Sequence, residues 1–341
     1  MSPDAERSGG SRRGLTPVAA TLLLLAVVFV AGPRPDVDDR WMEPRLPASG
    51  PELSPAALDE YLTATEAAVP DLRPGDAKGI VWADDETPAR TPASLVYLHG
   101  FSADRHEIEP VVSLLGASLG ANVYFTRLTG HGRDGAAMEA ATAADWLDDT
   151  AEAVAVGAAI GERVVVIGTS TGGTLASWAA MRPESHGRID ALVLVSPNFQ
   201  PKDRSSRVLL YPWGGTLARL LVGPERCFEP ENDAQERHWT TCYPTSSLLP
   251  MMALVEHVRT MSLEGWGVPT LLVYAPEDRV VDAQETERVL ASLPGDLLRV
   301  HVVAETGDPA SHVLAGDVLS PETNQELHDV IASFVRDILG D

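Results

Sequence analysis

The sequence contains little cysteine and few basic residues. Two cysteines among 341 residues are too few for a disulfide scaffold, and neither has the spacing of a zinc-ligand motif. Lysine plus arginine number 26 against 49 aspartate plus glutamate, which gives a net charge of −23. A surface this negative repels phosphate groups, and we therefore exclude nucleic acid as a partner. The content of 44% hydrophobic and 22% charged residues is typical of a globular protein and excludes global disorder.

An uncharged, mostly apolar run covers residues 15–32. As a helix it would span about 27 Å, close to the thickness of a bilayer core, and it lacks the polar stripe of a helix buried in a globular core. A signal peptidase requires small residues at −3 and −1, but a cut after Ala31 places Phe29 at −3, and a cut one residue later places Pro33 at +1. We expect residues 1–32 to be a retained membrane anchor, with a cleaved signal segment as the alternative. The catalytic domain would then be periplasmic or extracellular.

Residues 33–53 connect this run to the rest of the chain. Five prolines lie there among charged residues without a periodic pattern, which indicates an extended linker. The folded domain is predicted for residues 54–341. It should begin with a helix that has Ser54 as its N-cap and Pro55 in its first turn.

Seven short apolar runs alternate with helical stretches along the predicted domain. They cover residues 80–82, 95–98, 123–125, 164–167, 192–195, 271–274 and 300–303. Most are apolar at every position, as expected for strands that are covered on both faces, and their alternation with helices predicts a doubly wound, mostly parallel α/β sheet. Ligands of such sheets bind beyond the carboxyl ends of the strands.

One interval between predicted strands is longer than a crossover connection needs. About seventy residues separate Ser196 from Thr270, and they contain several aromatic side chains, two adjacent methionines and both cysteines. We predict a partly helical cap at about residues 198–267, over the carboxyl edge of the sheet. If the domain is exported, Cys227 and Cys242 are expected to form a disulfide within this cap, and two buried thiols are the alternative.

The sequence Gly168-Thr169-Ser170-Thr171-Gly172 is the strongest sign of chemistry. A buried strand leads into this Gly-x-Ser-x-Gly pattern, and a predicted helix follows it directly. Glycines two residues on either side let a serine occupy a sharp strand-to-helix turn, where its hydroxyl is exposed to a substrate. A glycine-rich turn in an ordinary strand–helix unit is the structural alternative. In this context the pattern favours Ser170 as a nucleophile.

This turn resembles the nucleophile elbow of the α/β-hydrolase family, in which an acid and then a histidine follow the serine along the chain. The resemblance implies Asp278 as the acid, because it follows the run at 271–274 and precedes paired valines after one spacer. Glu277 and Asp282 are the competing acids. It implies His312, on the loop after the last predicted strand, as the general base.

Other histidines receive structural interpretations. His301 lies inside the last predicted strand, and His328 lies in the apparent final helix. His99, before Gly100, is expected to hydrogen-bond within its own turn, and His131 is expected to have no chemical role.

The turn at Leu98-His99-Gly100-Phe101 resembles the His-Gly-x turn of the same family. It implies an oxyanion hole formed by the backbone N–H groups of Phe101 and Thr171. Thr171 is smaller than the residue common after the nucleophile in lipases, so the resemblance does not extend to the shape of the acyl pocket.

The resemblance covers roughly residues 80–339 and is greatest to bacterial carboxylesterases and to monoacylglycerol-lipase-like or lysophospholipase-like enzymes. It implies a serine hydrolase that cleaves a small-molecule or lipid-like ester through an acyl-enzyme, without a metal or an organic cofactor. A peptidase or thioesterase using the same three residues is the alternative within the enzymes. A non-catalytic binding module is disfavoured, because a binder has no need to keep Ser170, Asp278 and His312 together.

Overall fold

A seven-stranded sheet forms the centre of the structure, a computed structural model that describes residues 17–47 and 54–340. Its strands are β1 (Gly79–Val81), β2 (Thr91–Leu98), β3 (Asn122–Phe125), β4 (Gly161–Thr169), β5 (Ala191–Val195), β8 (Thr270–Tyr274) and β9 (Leu298–Val302). Two further strands, β6 (Glu225–Cys227) and β7 (Cys242–Pro244), form a separate pair. The sheet order is β1-β3-β2-β4-β5-β8-β9, and all neighbours are parallel except β1 and β3. Each predicted strand is present, and the predicted α/β fold class is confirmed.

Helices pack on both faces of this sheet, which explains why its central strands are mostly apolar. The helices of the described residues are α1 (Pro17–Val30), α2 (Pro55–Ala67), α3 (Glu109–Leu119), α4 (Gly135–Ala140), α5 (Ala143–Ile160), α6 (Thr171–Met181), α7 (Gly214–Val222), α8 (Asp233–His238), α9 (Leu248–Thr260), α10 (Ala283–Leu290) and α11 (Asn324–Leu339). The core with α5, α6 and α9 includes Val96 and Val166, whereas the core with α3 and α11 includes Leu95 and Val165. Adjacent strand residues therefore point into opposite cores.

Short polar side chains set the starts of two helices. Ser54 Oγ accepts a hydrogen bond from the Ala57 N–H, so the predicted cap of α2 is confirmed. Thr142 and Asp145 form a reciprocal capping box at the start of α5. Such caps satisfy N–H groups that the first turn of a helix leaves without a partner.

The segment between β5 and β8 contains α7, α8, α9 and the separate antiparallel pair β6–β7. Its side chains at Trp239, Tyr243 and Met252 are buried. Cys227 and Cys242 are directly opposite each other in the β6–β7 pair and are joined in the predicted disulfide. The segment predicted as a cap is therefore folded, with buried apolar side chains of its own.

Residues 33–47 of the predicted extended linker have no regular secondary structure, but they pack against the domain. Trp41 stacks on Trp178 with ring centroids 5.5 Å apart. Asp39 accepts a hydrogen bond from Trp178 Nε1 at 2.8 Å and pairs with Arg182 at 3.2 Å and with His257 at 3.0 Å. An aromatic ring and a carboxylate thus attach this segment to α6 and α9. Residues 48–53 of the predicted linker lie outside the described residues.

The N-terminal apolar run is helical as α1, although Leu15 and Thr16 of the predicted run lie outside the described residues. Its large side chains are exposed from Val18 through Val30. Within the described part of the chain, no helix combines the length and the apolar character needed to cross a bilayer.

Removal of the disulfide should lower the stability of the folded domain. The bond closes a loop of 15 residues, and constraining a loop of that size contributes about 3 kcal/mol in the chain-entropy model. We expect Cys227→Ser combined with Cys242→Ser to lower the Tm by several degrees in a calorimetric scan. A reductant should produce the same shift in the unmodified protein and none in the double variant. Two alkylatable thiols in protein that was never reduced would contradict the bond.

Candidate active site

Ser170 occupies a strained turn between β4 and α6. Its backbone has φ 52° and ψ −116°, a region that side-chain-bearing residues rarely adopt. A Cβ atom at Gly168 would lie 2.4 Å from the Gly172 carbonyl oxygen, and one at Gly172 would lie 2.0 Å from the Leu98 carbonyl oxygen. Only glycine fits at these two positions.

Three backbone hydrogen bonds fix the position of Ser170 in this turn. The Ser170 N–H donates to the Val195 carbonyl at 2.9 Å. The Ser170 carbonyl accepts from the N–H groups of Thr174 at 3.1 Å and of Asn198 at 3.0 Å. The side chain therefore lies at the N-terminus of α6, where the helix dipole and the free N–H groups favour a developing negative charge.

Asp278 and His312 are brought together although 34 residues separate them. Asp278 Oδ2 lies 2.8 Å from His312 Nδ1, and both side chains are buried. Asp278 Oδ1 accepts hydrogen bonds from the N–H groups of Val280 at 2.7 Å and Val281 at 2.9 Å. The paired valines thus supply backbone donors that orient the carboxylate toward the imidazole.

The two competing acids lie elsewhere. Glu277 is exposed. Asp282 accepts from Arg204 at 2.8 Å and from Gln200 at 3.3 Å. Of the three acids, Asp278 is the one whose carboxylate contacts His312.

Asp308 supports the loop that carries His312 and was not identified from the sequence. Its Oδ2 accepts hydrogen bonds from the N–H groups of His312 at 2.9 Å and Val313 at 2.8 Å. The signal available in the sequence is a turn-forming aspartate followed by Pro309, a pair typical of side-chain-capped turns. This carboxylate fixes the backbone from which the imidazole projects.

The pKa of His312 lies above its ordinary value of 6.5. Burial acts in the opposite direction, because it disfavours the charged imidazolium. The negative charge of Asp278 and its hydrogen bond outweigh this burial, and the charges of Glu107 and Asp308 add to the effect. The site therefore stabilises the positively charged form that a general base acquires when it accepts a proton.

The turn after β2 brings Phe101 beside the elbow. Neither Phe101 nor Thr171 uses its backbone N–H in a hydrogen bond among the described residues. His99 has the structural role expected of it: its Nε2 accepts from the Leu128 N–H at 3.0 Å, so its Nδ1 carries the hydrogen that is donated to the Gly100 carbonyl. Burial lowers the pKa of His99 to about 4, and the ring stays neutral.

Glu107 is a buried carboxyl beneath this turn that sequence reasoning also missed. It accepts hydrogen bonds from the Gly100 N–H at 2.8 Å and from the Tyr97 hydroxyl at 2.7 Å. Burial raises its pKa. A Cβ atom at Gly100 would lie 2.7 Å from Glu107 Oε1 and 3.3 Å from Ser170 Cβ, so the glycine backbone fills the space between them. Glu107 thereby holds the turn in place from the side opposite the nucleophile.

The expected histidines away from the site have structural environments. His301 lies in the edge strand β9 with its Nε2 2.7 Å from Glu326, and His328 lies in α11. His131 is buried between the rings of His99 and Trp146. Among the described residues, no hydrogen bond joins Ser170 to His312, and the proton transfer between them stays a prediction.

The sheet topology, the elbow and the buried acid–histidine pair define an α/β-hydrolase of the serine hydrolase class. Residues 89–307 match the family described as Serine aminopeptidase, S33 (Hydrolase_4), and the chain belongs to this family.

Relatives and solved structures agree with this class. A thermostable monoacylglycerol lipase from Bacillus sp. (strain H-257) is 28% identical over 192 residues, which cover 56% of this chain and 72% of that enzyme. A structure reported for the metagenome-derived lipolytic enzymes LipS and LipT superposes with a TM-score of 0.63 at 18% identity, covering 78% of this chain and all of the other. The monoacylglycerol lipase of Paleococcus ferrophilus gives a TM-score of 0.56 at 18% identity, covering 76% of this chain and 98% of that one. The predicted hydrolase of the esterase and lipase type is confirmed.

Activity should rise with pH as His312 loses its proton, because only the neutral imidazole can accept a proton from Ser170. The raised pKa places the midpoint of this rise above 6.5. Asp278→Asn removes the neighbouring negative charge and should lower both the midpoint and, by about 10⁴-fold, kcat. The pH dependence of kcat/KM on a p-nitrophenyl ester measures both effects.

Asp282→Asn is the matched control for this substitution. Its carboxylate pairs with Arg204 rather than with the imidazole, so the variant should keep the unmodified kcat and pH midpoint. A large loss in Asp282→Asn with normal activity in Asp278→Asn would show that the wrong acid is assigned.

Proposed function

We propose that the protein hydrolyses carboxylic esters of mostly apolar acyl groups through an acyl-enzyme intermediate, with Ser170, His312 and Asp278 as the catalytic residues. The observation that carries this proposal is the 2.8 Å contact between Asp278 and His312 on the same sheet edge as the strained serine turn. Acid, imidazole and a serine at a helix N-terminus are the parts that acyl transfer needs.

In this mechanism His312 accepts the hydroxyl proton of Ser170 as the oxygen attacks the ester carbonyl carbon. The negative oxygen of the tetrahedral intermediate accepts hydrogen bonds from the N–H groups of Phe101 and Thr171. The imidazolium then gives its proton to the departing alcohol, and an acyl-serine ester remains. A water molecule, deprotonated by His312, repeats the sequence and releases the carboxylic acid and the free serine.

Exposed apolar surface on the cap supports a lipid-like substrate. Leu220, Leu221 and Val222 at the end of α7 are 77%, 74% and 71% exposed. Trp213, which precedes this helix, donates from its indole N–H to the Val28 carbonyl of α1, whose apolar side chains are likewise exposed. Exposed apolar side chains that lie close together are typical of a surface that meets another apolar phase. Together with the monoacylglycerol lipase relative, it favours glycerol monoesters of fatty acids.

Peptide hydrolysis is the second candidate, because the matching family is described as a serine aminopeptidase family. The same three residues can attack an amide, and the fold does not decide between the two carbonyl substrates. The amine released from an amide is a poorer leaving group than an alcohol, and its nitrogen must be protonated by His312 before the C–N bond breaks.

A substrate panel distinguishes these activities. We expect the turnover of p-nitrophenyl esters to increase from acetate toward medium acyl chains. We also expect monoacylglycerols to be turned over faster than an aminoacyl p-nitroanilide or an acyl thioester. Ser170→Ala should abolish both ester turnover and labelling by a fluorophosphonate, since serines elsewhere lack a base. Preferred cleavage of the anilide would establish the peptidase, and persistent labelling of the variant would remove Ser170 from the mechanism. A folded protein that shows neither turnover nor labelling would favour the alternative of a non-catalytic binding module.

We further propose that the catalytic domain is exported and that residues 1–32 are retained as its membrane anchor. In the alternative, this segment is a signal that is cleaved after export. The exposed apolar side chains of α1 and the disulfide between Cys227 and Cys242 support this proposal, because structural disulfides persist in oxidising compartments.

Membrane association should resist salt, because apolar contact rather than charge would maintain it. We expect the full chain to sediment with membranes in 1 M salt (a concentration at which exposed charges are screened beyond about 3 Å) and to be released by detergent. A chain without residues 1–32 should stay in the supernatant. An N-terminus found near residue 32 in the mature protein would replace the anchor with a signal peptide, and release of the full chain by salt would exclude both an anchor and apolar attachment.

A further inference from the structure

Four side chains able to bind a metal converge beside the turn that carries Phe101. Asp76 lies between α2 and β1, Asp104 and His106 follow β2, and His238 ends α8 in the cap. One ligand atom from each residue lies within 4.8 Å of all the others. Asp76 and Asp104 are 1% and 0% exposed, whereas the side chains of His106 and His238 are partly exposed.

The distances between these atoms suit a tetrahedral ion. His238 Nδ1 lies 3.4 Å from Asp76 Oδ1 and 3.2 Å from Asp104 Oδ2. His106 Nδ1 lies 2.9 Å from Asp104 Oδ1 and 3.7 Å from Asp76 Oδ1. A tetrahedral Zn²⁺ with bonds of about 2.0–2.2 Å holds its ligands about 3.3–3.6 Å apart. These four separations lie within about 0.4 Å of that range.

Neighbouring groups orient the ligands toward one point. Arg73 Nε donates to Asp76 Oδ2 at 2.8 Å, which leaves Asp76 Oδ1 directed at the histidines. The far nitrogen of His106 lies 3.4 Å from a carboxylate oxygen of Glu109. A carboxylate behind a ligating histidine is a usual outer partner in metal sites, because it fixes the ring and its tautomer.

Charge also favours a cation at this point. Two carboxylates buried against each other are costly unless positive charge or hydrogen bonds compensate them. The rings of His106 and His238 stack with centroids 3.9 Å apart, and both direct Nδ1 toward the carboxylates.

We propose that Asp76, Asp104, His106 and His238 bind one structural Zn²⁺ ion. Two imidazole nitrogens with two carboxylate oxygens favour zinc over Ca²⁺ or Mg²⁺, which prefer oxygen ligands and higher coordination numbers. Four protein ligands complete a tetrahedral shell and leave no position for a substrate, so the ion has a structural rather than a catalytic role.

The ion would connect the cap to the oxyanion turn. His238 belongs to the cap, whereas Asp104 lies three residues after Phe101. The same two parts already meet where the Thr240 N–H donates to the Ser102 carbonyl at 2.8 Å. Zinc would hold this contact closed and would keep the Phe101 N–H at a constant place relative to the cap.

Metal content of the full chain, purified in detergent, tests the proposal. After saturation with ZnCl₂ and dialysis, elemental analysis by mass spectrometry should find one zinc per chain. His238→Ala and Asp104→Asn should each weaken zinc binding about 100-fold or more in a chelator competition. His186→Ala, which removes an exposed histidine elsewhere, should bind zinc as the unmodified protein does. Replacement by Co²⁺ should give the intense visible bands of a tetrahedral nitrogen and oxygen site.

These readouts do not depend on ester hydrolysis, so the site and the proposed function can fail separately. Zinc well below one equivalent after saturation would overturn the proposal, as would unchanged affinity in folded Asp104→Asn protein. If His238→Ala does not fold, the Co²⁺ spectrum of the unmodified chain decides: an octahedral spectrum, or none, would overturn the site. Preferential retention of Ca²⁺ over Zn²⁺ would do the same.

Discussion

The close approach of backbone segments at the elbow is the constraint on which the candidate site depends. A side chain at Gly172 would collide with the Leu98 carbonyl, and one at Gly168 would collide with Gly172 itself. With glycine at both positions, the end of β2 lies against the start of α6, and Ser170 and Phe101 follow strands that are neighbours in the sheet. Main-chain packing thus positions the nucleophile, the expected oxyanion donors and the helix dipole relative to one another.

Features that are contiguous in the sequence could be predicted. Most of the strands contain an unbroken apolar run, because strands covered on both faces need no polar side, and the serine turn is marked by glycines at fixed offsets. The acid was harder to assign. Glu277, Asp278 and Asp282 all lie within one short stretch, and spacing alone does not say which carboxylate points inward. The structure separates them by burial and by partner, since Asp282 contacts Arg204 and Asp278 contacts His312.

Charged residues whose partners depend on how a loop folds could not be predicted in this way. Glu107 is buried because it satisfies the Gly100 N–H across the oxyanion turn. Asp308 has a local turn signal, but only the folded loop shows that its carboxylate supports His312. Asp76, the pair Asp104 and His106, and His238 come from three separate segments, which is why the sequence implied no metal. Acidic side chains outnumber basic ones so strongly in this chain that a buried carboxylate does not stand out by composition.

The packing of residues 33–47 determines where the chain can be shortened. The Trp178 ring is fully buried and stacks on Trp41, and Arg182 pairs with Asp39. A protein trimmed at the end of the proline-rich segment would expose that ring to water, which promotes self-association, and would leave the arginine without its carboxylate. A shortened protein that keeps both contacts therefore begins upstream of Asp39, even though the first helix of the sheet domain starts at Pro55.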